Sequence, residues 1–182
     1  CHNPRQWHMI AVMSDIFSGF PSIQRLLQNG RYLFHQSDKV QFMYCVQFGE
    51  VHLLRRHRQG QALILQRGTA HSVLAEASLF SERYHCDAVA VGQASVKCFE
   101  RRDILLKFEQ DAGFVKQWAV HLAAEVRAAR FKAEMLSQKT IAERLTIWKL
   151  INGSLPAKGQ WKQLAAELGV SAEALYREMA KR

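Results

Sequence analysis

Hydrophobic periodicity changes once along this chain, near residue 100, and that change limits what the chain can fold into. Before it, short runs rich in Val, Leu, Ile, Phe and Tyr recur: Tyr32–Phe34, Phe42–Val46, Glu50–Leu54, Ala62–Gln66 and Ala88–Val91. Asn29-Gly30, Ser37-Asp38, Phe48-Gly49, Gln59-Gly60 and Arg67-Gly68 punctuate them. Strands of about four to six residues at this spacing, with no long helix between, predict an antiparallel β-roll of jelly-roll type. One short helix is expected ahead of them, over Pro21–Gln28. From Asp103 the pattern is helical. Asp103 is the expected N-cap of a short helix over Ile104–Gln110. A long helix follows over Asp111–Leu136. The fold class is therefore α+β.

The long helix carries a stripe. Val115, Leu122, Ala129 and Leu136 recur at heptad spacing, and Trp118, Ala119, Val126 and Ala133 fill the neighbouring positions. A stripe of this length is expected to be a dimer seam, with packing against the chain's own sheet as the alternative. Val115, Trp118, Leu122, Val126, Ala129 and Leu136 are its candidate contacts. Ser137-Gln-Lys-Thr140 breaks the helix, and a further helix is expected over Thr140–Ile151. The expected organisation is a sensor-like roll over 1–110, a dimerisation helix over 111–136 and a C-terminal domain over 137–182.

The C-terminal segment carries the strongest motif. Leu164 and Leu168 form an i,i+4 apolar face, and Ala165 is small where two helices cross. Gly169 supplies a left-handed turn residue, Val170 plugs the turn, and Ser171 caps a second helix. Leu175 and Met179 give that helix its buried face. Ala172, Glu173, Tyr176, Arg177 and Arg182 are expected to point outward. This is a helix-turn-helix, whose second helix enters a DNA major groove. The charge agrees. Residues 137–182 hold eight Lys/Arg against four Glu, a net of +4, within a chain of 182 residues and net charge +9. A basic balance favours a polyanionic partner.

Roll, long helix and helix-turn-helix, in that order, resemble the Crp/Fnr family of bacterial transcription regulators. The resemblance is carried by Gly30-Arg-Tyr-Leu-Phe34, Ser37-Asp38, Phe48-Gly49-Glu-Val-His-Leu-Leu54, Leu74-Ala-Glu76-Ala-Ser-Leu-Phe80 and Ser171-Ala-Glu173-Ala-Leu-Tyr-Arg177. It implies a homodimer on double-stranded DNA at a near-palindromic site, in contact with RNA polymerase if the chain is an activator. By position, Glu173 accepts from cytosine N4 and Arg177 forks onto guanine. Gln160, Lys162 and Ser171 meet phosphates, and Tyr176 and Lys181 flank them. Ala172 stands where the family often has a polar residue or Arg, so one base contact is expected to be missing. The family's β-hairpin wing would follow Arg182, and the chain opens on Cys1, so it reads as truncated at both ends.

The resemblance also implies an effector site in the roll. In members that bind cyclic nucleotides, a Glu bonds the ribose and an Arg-Ser or Arg-Thr pair grips the cyclic phosphate. Here Glu76 matches the Glu, but Cys86-Asp87 stands where the pair belongs, and Asp repels phosphate. Cyclic AMP is therefore not the expected effector, and Arg83 would need a rearranged loop to substitute. Glu76, His85, Cys86 and Asp87 are the candidate effector residues. The remaining readings are haem, with ligands among His2, His8, His71, His85 and Cys86, another small molecule, a thiol switch at Cys86 or Cys98, or no ligand at all. An iron–sulfur cluster needs clustered N-terminal cysteines, and only Cys1 is near that end.

The four cysteines, Cys1, Cys45, Cys86 and Cys98, fit no CxxC metal pattern, so no metal site is assigned. They point to a reducing, cytoplasmic setting. No apolar run is long enough to cross a membrane. An enzyme is not expected: there is no HxH pair of a metal-dependent roll, no nucleophile elbow and no phosphate-binding loop. The rival function is an interaction module that binds a ligand, a cyclic nucleotide-like molecule or haem, without binding DNA.

Overall fold

The computed structural model describes residues 16–56 and 62–181. The turn expected at Gln59-Gly60 lies outside them, as do Cys1, His2 and His8. Six strands form one antiparallel sheet: β1 (Ile23–Leu27), β2 (Tyr32–Phe34), β3 (Phe42–Arg56), β4 (Ala62–Gly68), β5 (Val73–Leu74) and β6 (Asp87–Glu100). The order is β1-β6-β3-β4, with β2 also on β6 and β5 also on β3. The helices are α1 (Arg101–Gln110), α2 (Ala112–Ser137), α3 (Ile141–Asn152), α4 (Trp161–Glu167) and α5 (Ala172–Met179). The chain forms two compact units, dividing between Trp118 and Ala119, inside α2.

In the first unit, β3 and β6 pair along almost their whole length, from Phe42 opposite Glu100 to Leu54 opposite Asp87. The Phe42–Val46 and Glu50–Leu54 runs, expected as separate strands, are one strand with bulges on either side of Phe48. Gly49 makes the bulge. Its φ is +80°, and an added Cβ would strike the Gln93 carbonyl and lie 2.7 Å from Ala94 Cα. So Phe48-Gly49 bends the strand without ending it. Val51 and Leu53 then alternate inward with Glu50 and His52 on the other face.

Two expectations in this unit are corrected. Pro21–Gln28 is not helical. Ile23–Leu27 is β1, an edge strand in register with Cys98–Ala94 of β6. Its side chains are mostly exposed, so no apolar alternation announced a strand; the ladder on β6 decides the conformation. Asp103 is not an N-cap. The chain runs from β6 directly into α1 at Arg101, with Glu100 in the cap position, and Asp103 lies in the first turn. There its charge still suits the helix dipole.

The core of the unit combines Met43, Val46, Val51, Leu74, Leu79, Val96 and Ile104, all fully buried. An aromatic group closes it: Phe17 stacks on Phe99 at 4.3 Å, and Phe17, Phe108 and Phe114 surround Trp118 at 5.5–6.0 Å.

In the second unit, Met135, Leu145, Leu164, Ala165, Leu168 and Leu175 form a buried cluster, joined by Leu136, Ile141, Trp148, Val170 and Met179. α3 begins with a full capping box. Thr140 Oγ1 accepts from the Glu143 N–H at 3.2 Å, and Glu143 Oε2 accepts from the Thr140 N–H at 2.9 Å.

Candidate nucleic-acid interface and sensor site

The turn between α4 and α5 has the geometry that the Ala165–Ser171 spacing predicts. Gly169 is left-handed, with φ +66°. The Val170 N–H donates to Ala165 O at 3.0 Å and the Gly169 N–H to Ala166 O at 3.3 Å, a Schellman closure. Ser171 Oγ then accepts from the Ala174 N–H at 3.1 Å and starts α5. A side chain at Gly169 would put its Cβ 2.9 Å from Leu136 Cδ2. Arg144 ties the same turn to the break before α3: its Nη1 donates to Leu168 O at 2.9 Å and its Nε to Gln138 O at 3.0 Å. In the sequence Arg144 was only one of eight cations, and nothing local marked it as a bridge. Trp148, whose Nε1 donates to Glu167 Oε2 at 2.8 Å, was equally unmarked.

On α5, Leu175 is fully buried while Glu173 and Arg177 are exposed. Gln160 and Lys162, at the start of α4, are exposed, as is Ser171. Among the described residues, the side chains of Glu173, Arg177 and Lys162 have no hydrogen-bond or ion-pair partner. Three candidates are less free. Ala172 is half-buried. The Tyr176 ring leans on Trp161, with centroids 5.2 Å apart, and keeps 37% exposure. Lys181 Nζ lies 3.0 Å from Glu178 Oε2. That ion pair accommodates Glu178 while Met179 packs against the cluster.

The expected seam residues on α2 divide. Val115 and Val126 are 37% and 47% exposed, Ala129 is exposed, and Leu122 is half-buried. Trp118 is 2% exposed within the aromatic group, and Leu136 packs on the helix-turn-helix cluster. Trp118 is corrected to intramolecular core, and Leu136 is partly covered by its own chain. A one-dimensional heptad cannot tell which apolar side chains a neighbouring layer of the same chain already covers.

In the roll, Ala75 is left-handed at φ +72° and opens a 3-10 turn over Glu76–Ser78. Buried Ser78 is hydrogen-bonded through Oγ to His85 Nδ1 at 2.8 Å. Burial, and then the Arg55 charge, lower the His85 pKa and favour the neutral ring. Arg55 Nη2 also donates to His85 O at 3.3 Å. His85 and Cys86 lie on the bend that leads into β6. Asp87 is turned to the β2 side. Its Oδ1 accepts from the Gln36 N–H at 2.7 Å and lies 3.8 Å from His35 Nδ1, and its Oδ2 lies 3.8 Å from Arg56 Nε. Arg56 donates on to Tyr32 Oη at 2.6 Å. Arg83 is committed elsewhere, donating to Ser37 O at 2.7 Å.

Cys45, Cys86 and Cys98 are free and buried. Burial pushes the Cys86 thiol up to about 11 and raises Cys98 as well. Both shifts disfavour the thiolate that a thiol switch needs. Among the described residues no three His, Cys, Asp or Glu side chains are grouped to hold a metal ion. Among them, too, no helix is long and apolar enough to cross a membrane.

The cyclic nucleotide-binding domain family matches residues 24–111, from β1 through the end of α1. The cyclic AMP receptor protein of Thermus thermophilus is 30% identical over 159 residues, covering 85% of this chain and 74% of that protein. The chain belongs to the Crp/Fnr family. Among solved structures, FixK2 from Bradyrhizobium japonicum superposes with a TM-score of 0.68 at 18% identity, covering 88% of this chain and 84% of its own. CLP, the c-di-GMP responsive global regulator of Xanthomonas campestris, gives 0.63 at 19% identity, with 94% and 90% covered. At those identities the two structures speak for the fold. This Crp/Fnr chain has the antiparallel cyclic nucleotide-binding fold followed by helices, and its relatives are regulators.

Proposed function

We propose that this Crp/Fnr chain is a homodimeric, sequence-specific DNA-binding transcription regulator, controlled by a signal sensed in its roll. The observation that carries the reading is the outward face of α5. A helix capped by Ser171 and anchored by Leu175 presents Glu173 and Arg177 with no partner among the described residues. Glu173 accepts from cytosine N4, and Arg177 donates a fork to guanine O6 and N7. Lys162, Gln160 and the N-terminus of α5 at Ser171 hold phosphates and set the register. Val115, Leu122, Val126 and Ala129 of α2 form the dimer contact, which brings two recognition helices to two half-sites. RNA polymerase is the further partner if the regulator activates. The reduced, buried thiols suit action in the cytoplasm.

In this reading the effector is other than cyclic AMP, although a relative is named for cyclic AMP. Buried Cys86 offers no charge to a cyclic phosphate. Asp87 next to it is an anion, already used to hold Gln36 and Arg56. Arg83 is held by the Ser37 carbonyl.

The test is fluorescence anisotropy with a duplex selected from a random pool and a scrambled control, titrated with salt. The expected result is at least about a thousandfold preference for the selected duplex, and log affinity falling linearly with log salt by about 0.9 per phosphate contact. Equal, salt-insensitive binding of both duplexes would overturn the reading in favour of an interaction module.

A further inference from the structure

Residues four apart share one side of a helix, so α5 presents its outward chemistry in stripes. Leu175 and Met179 face the buried cluster. Glu173 and Arg177 form the polar stripe assigned above to base edges. Glu178, on the stripe it shares with Ala174, is paired with Lys181. Ala172 and Tyr176 form a further stripe of different chemistry, a methyl and a ring. Ala172 is half-buried and Tyr176 is exposed. The ring is held from the side. It leans on Trp161 at 48°, with centroids 5.2 Å apart. Trp161 is fixed in turn, because it packs on the buried cluster and its Nε1 donates to Pro156 O at 3.2 Å. Side chains at i and i+4 stand with their Cβ atoms about 5–6 Å apart. Ala172 and Tyr176 therefore border a shallow apolar notch, about one methyl wide, beside the polar stripe.

Ala172 opens α5, and the N-terminal residues of a recognition helix are the ones that meet base edges. Its methyl neither donates nor accepts, so it cannot read a base by hydrogen bonds. Ser171 does not substitute for it, since its Oγ is engaged by the Ala174 N–H. Thymine alone among the four bases carries a methyl, on C5, into the major groove. We propose that Ala172 and Tyr176 are a specificity-determining pair that takes a thymine C5-methyl, so that each half-site holds a T·A pair beside the bases read by Glu173 and Arg177. The proposal rests on the DNA-binding reading of α5 and adds to it the base that the Ala172 position selects. The contact expected to be missing there changes in kind, from a hydrogen bond to a buried methyl.

Anisotropy of the whole chain on its selected duplex tests the pair, with thymines replaced by deoxyuridine one position at a time in both half-sites. Deoxyuridine keeps the hydrogen-bonding edge and removes only the methyl. One thymine position per half-site is expected to lose about fourfold in affinity per methyl removed, roughly fifteenfold for both, and the other positions less than about twofold. Tyr176→Ala opens one wall of the notch and should remove most of that methyl effect, with base choice at the Glu173 and Arg177 positions unchanged. Ala172→Arg supplies a fork and should turn the preference at the same position from T·A toward G·C. A selected duplex that outcompetes the scrambled one yet has no methyl-sensitive position overturns the pair and leaves the DNA reading standing. A methyl effect of full size in Tyr176→Ala, or unchanged base choice in Ala172→Arg, does the same. No preference for the selected duplex overturns the DNA reading itself, and the pair with it. The uridine series on the parent needs no variant, so it decides even if a substitution disturbs α5.

Discussion

Arg177 and Lys162 are both exposed and unpaired, yet they are assigned different work, and the difference is measurable. Arg177→Ala removes a base-edge fork. It should cost roughly 1–3 kcal/mol on the preferred duplex and relax base choice at one position of each half-site. Lys162→Ala removes a phosphate contact. It should weaken all sequences alike and reduce the salt slope by about 1. Anisotropy against a set of singly mutated duplexes separates the two, and unchanged base preference in Arg177→Ala would sink its assignment. Cys86 makes a prediction of the opposite kind, about inertness. Its thiol is raised from 9.0 to about 11 by burial. Between those values the folded chain keeps a proton that the unfolded chain gives up. Stability therefore falls as pH rises through that window. Chemical denaturation at stepped pH should show this alkaline slope in the parent, and a shallower one in Cys86→Ser. Equal slopes would mean the thiol is not held protonated by burial.

At the scale of elements, two contacts decide how the helices are used. Arg144 joins α3 to the 164–169 turn and to the break before α3, through carbonyls of Leu168 and Gln138. Arg144→Met keeps much of the volume and strands both acceptors. It should cost about 1–3 kcal/mol in urea unfolding, against less than about 0.5 for Lys158→Met at an exposed site. In the proposed reading, the exposed part of the α2 stripe is the dimer contact. Val126→Glu sets two carboxylates against each other across a symmetric seam. It should shift the dimer–monomer equilibrium by about 100-fold or more toward monomer, with helix content unchanged. Sedimentation of both proteins at matched concentration reads this directly, and a Val126→Glu chain that stays dimeric would move the seam off α2. β1 shows the limit of reading elements from sequence. Its exposed side chains carry no alternation, so Ile23–Leu27 looked helical, and only pairing with β6 makes it a strand.

For the whole molecule, the question is which signal the roll accepts. By the family resemblance Glu76 would be the ribose partner, and Cys86 and Asp87 stand where a cation and a hydroxyl would hold a cyclic phosphate. The parent should therefore show no rise in melting temperature with cyclic AMP. The double variant Cys86→Arg with Asp87→Ser restores a fork and a donor. It should gain stability that grows with ligand, about 2.7 kcal/mol at a hundredfold excess over Kd. Equal stabilisation of parent and variant would refute the argument from Asp87.

Much of this was legible along the chain, because it rests on spacing. Strand runs, the long helix, the Gly169 turn, the Ser171 cap and the outward Glu173 and Arg177 all follow from local periodicity and turn chemistry. Those depend on neighbours within a few residues, and the linear order states them. What only the tertiary structure decided involves residues far apart in the chain. Trp118 left the dimer stripe because Phe17, Phe108 and Phe114 surround it. Asp87 found Gln36 and Arg56, and Arg144 found Leu168. Trp161 came to steady Tyr176. Such pairings are chosen by burial and by hydrogen-bond satisfaction across layers, and no pattern in a single segment encodes them.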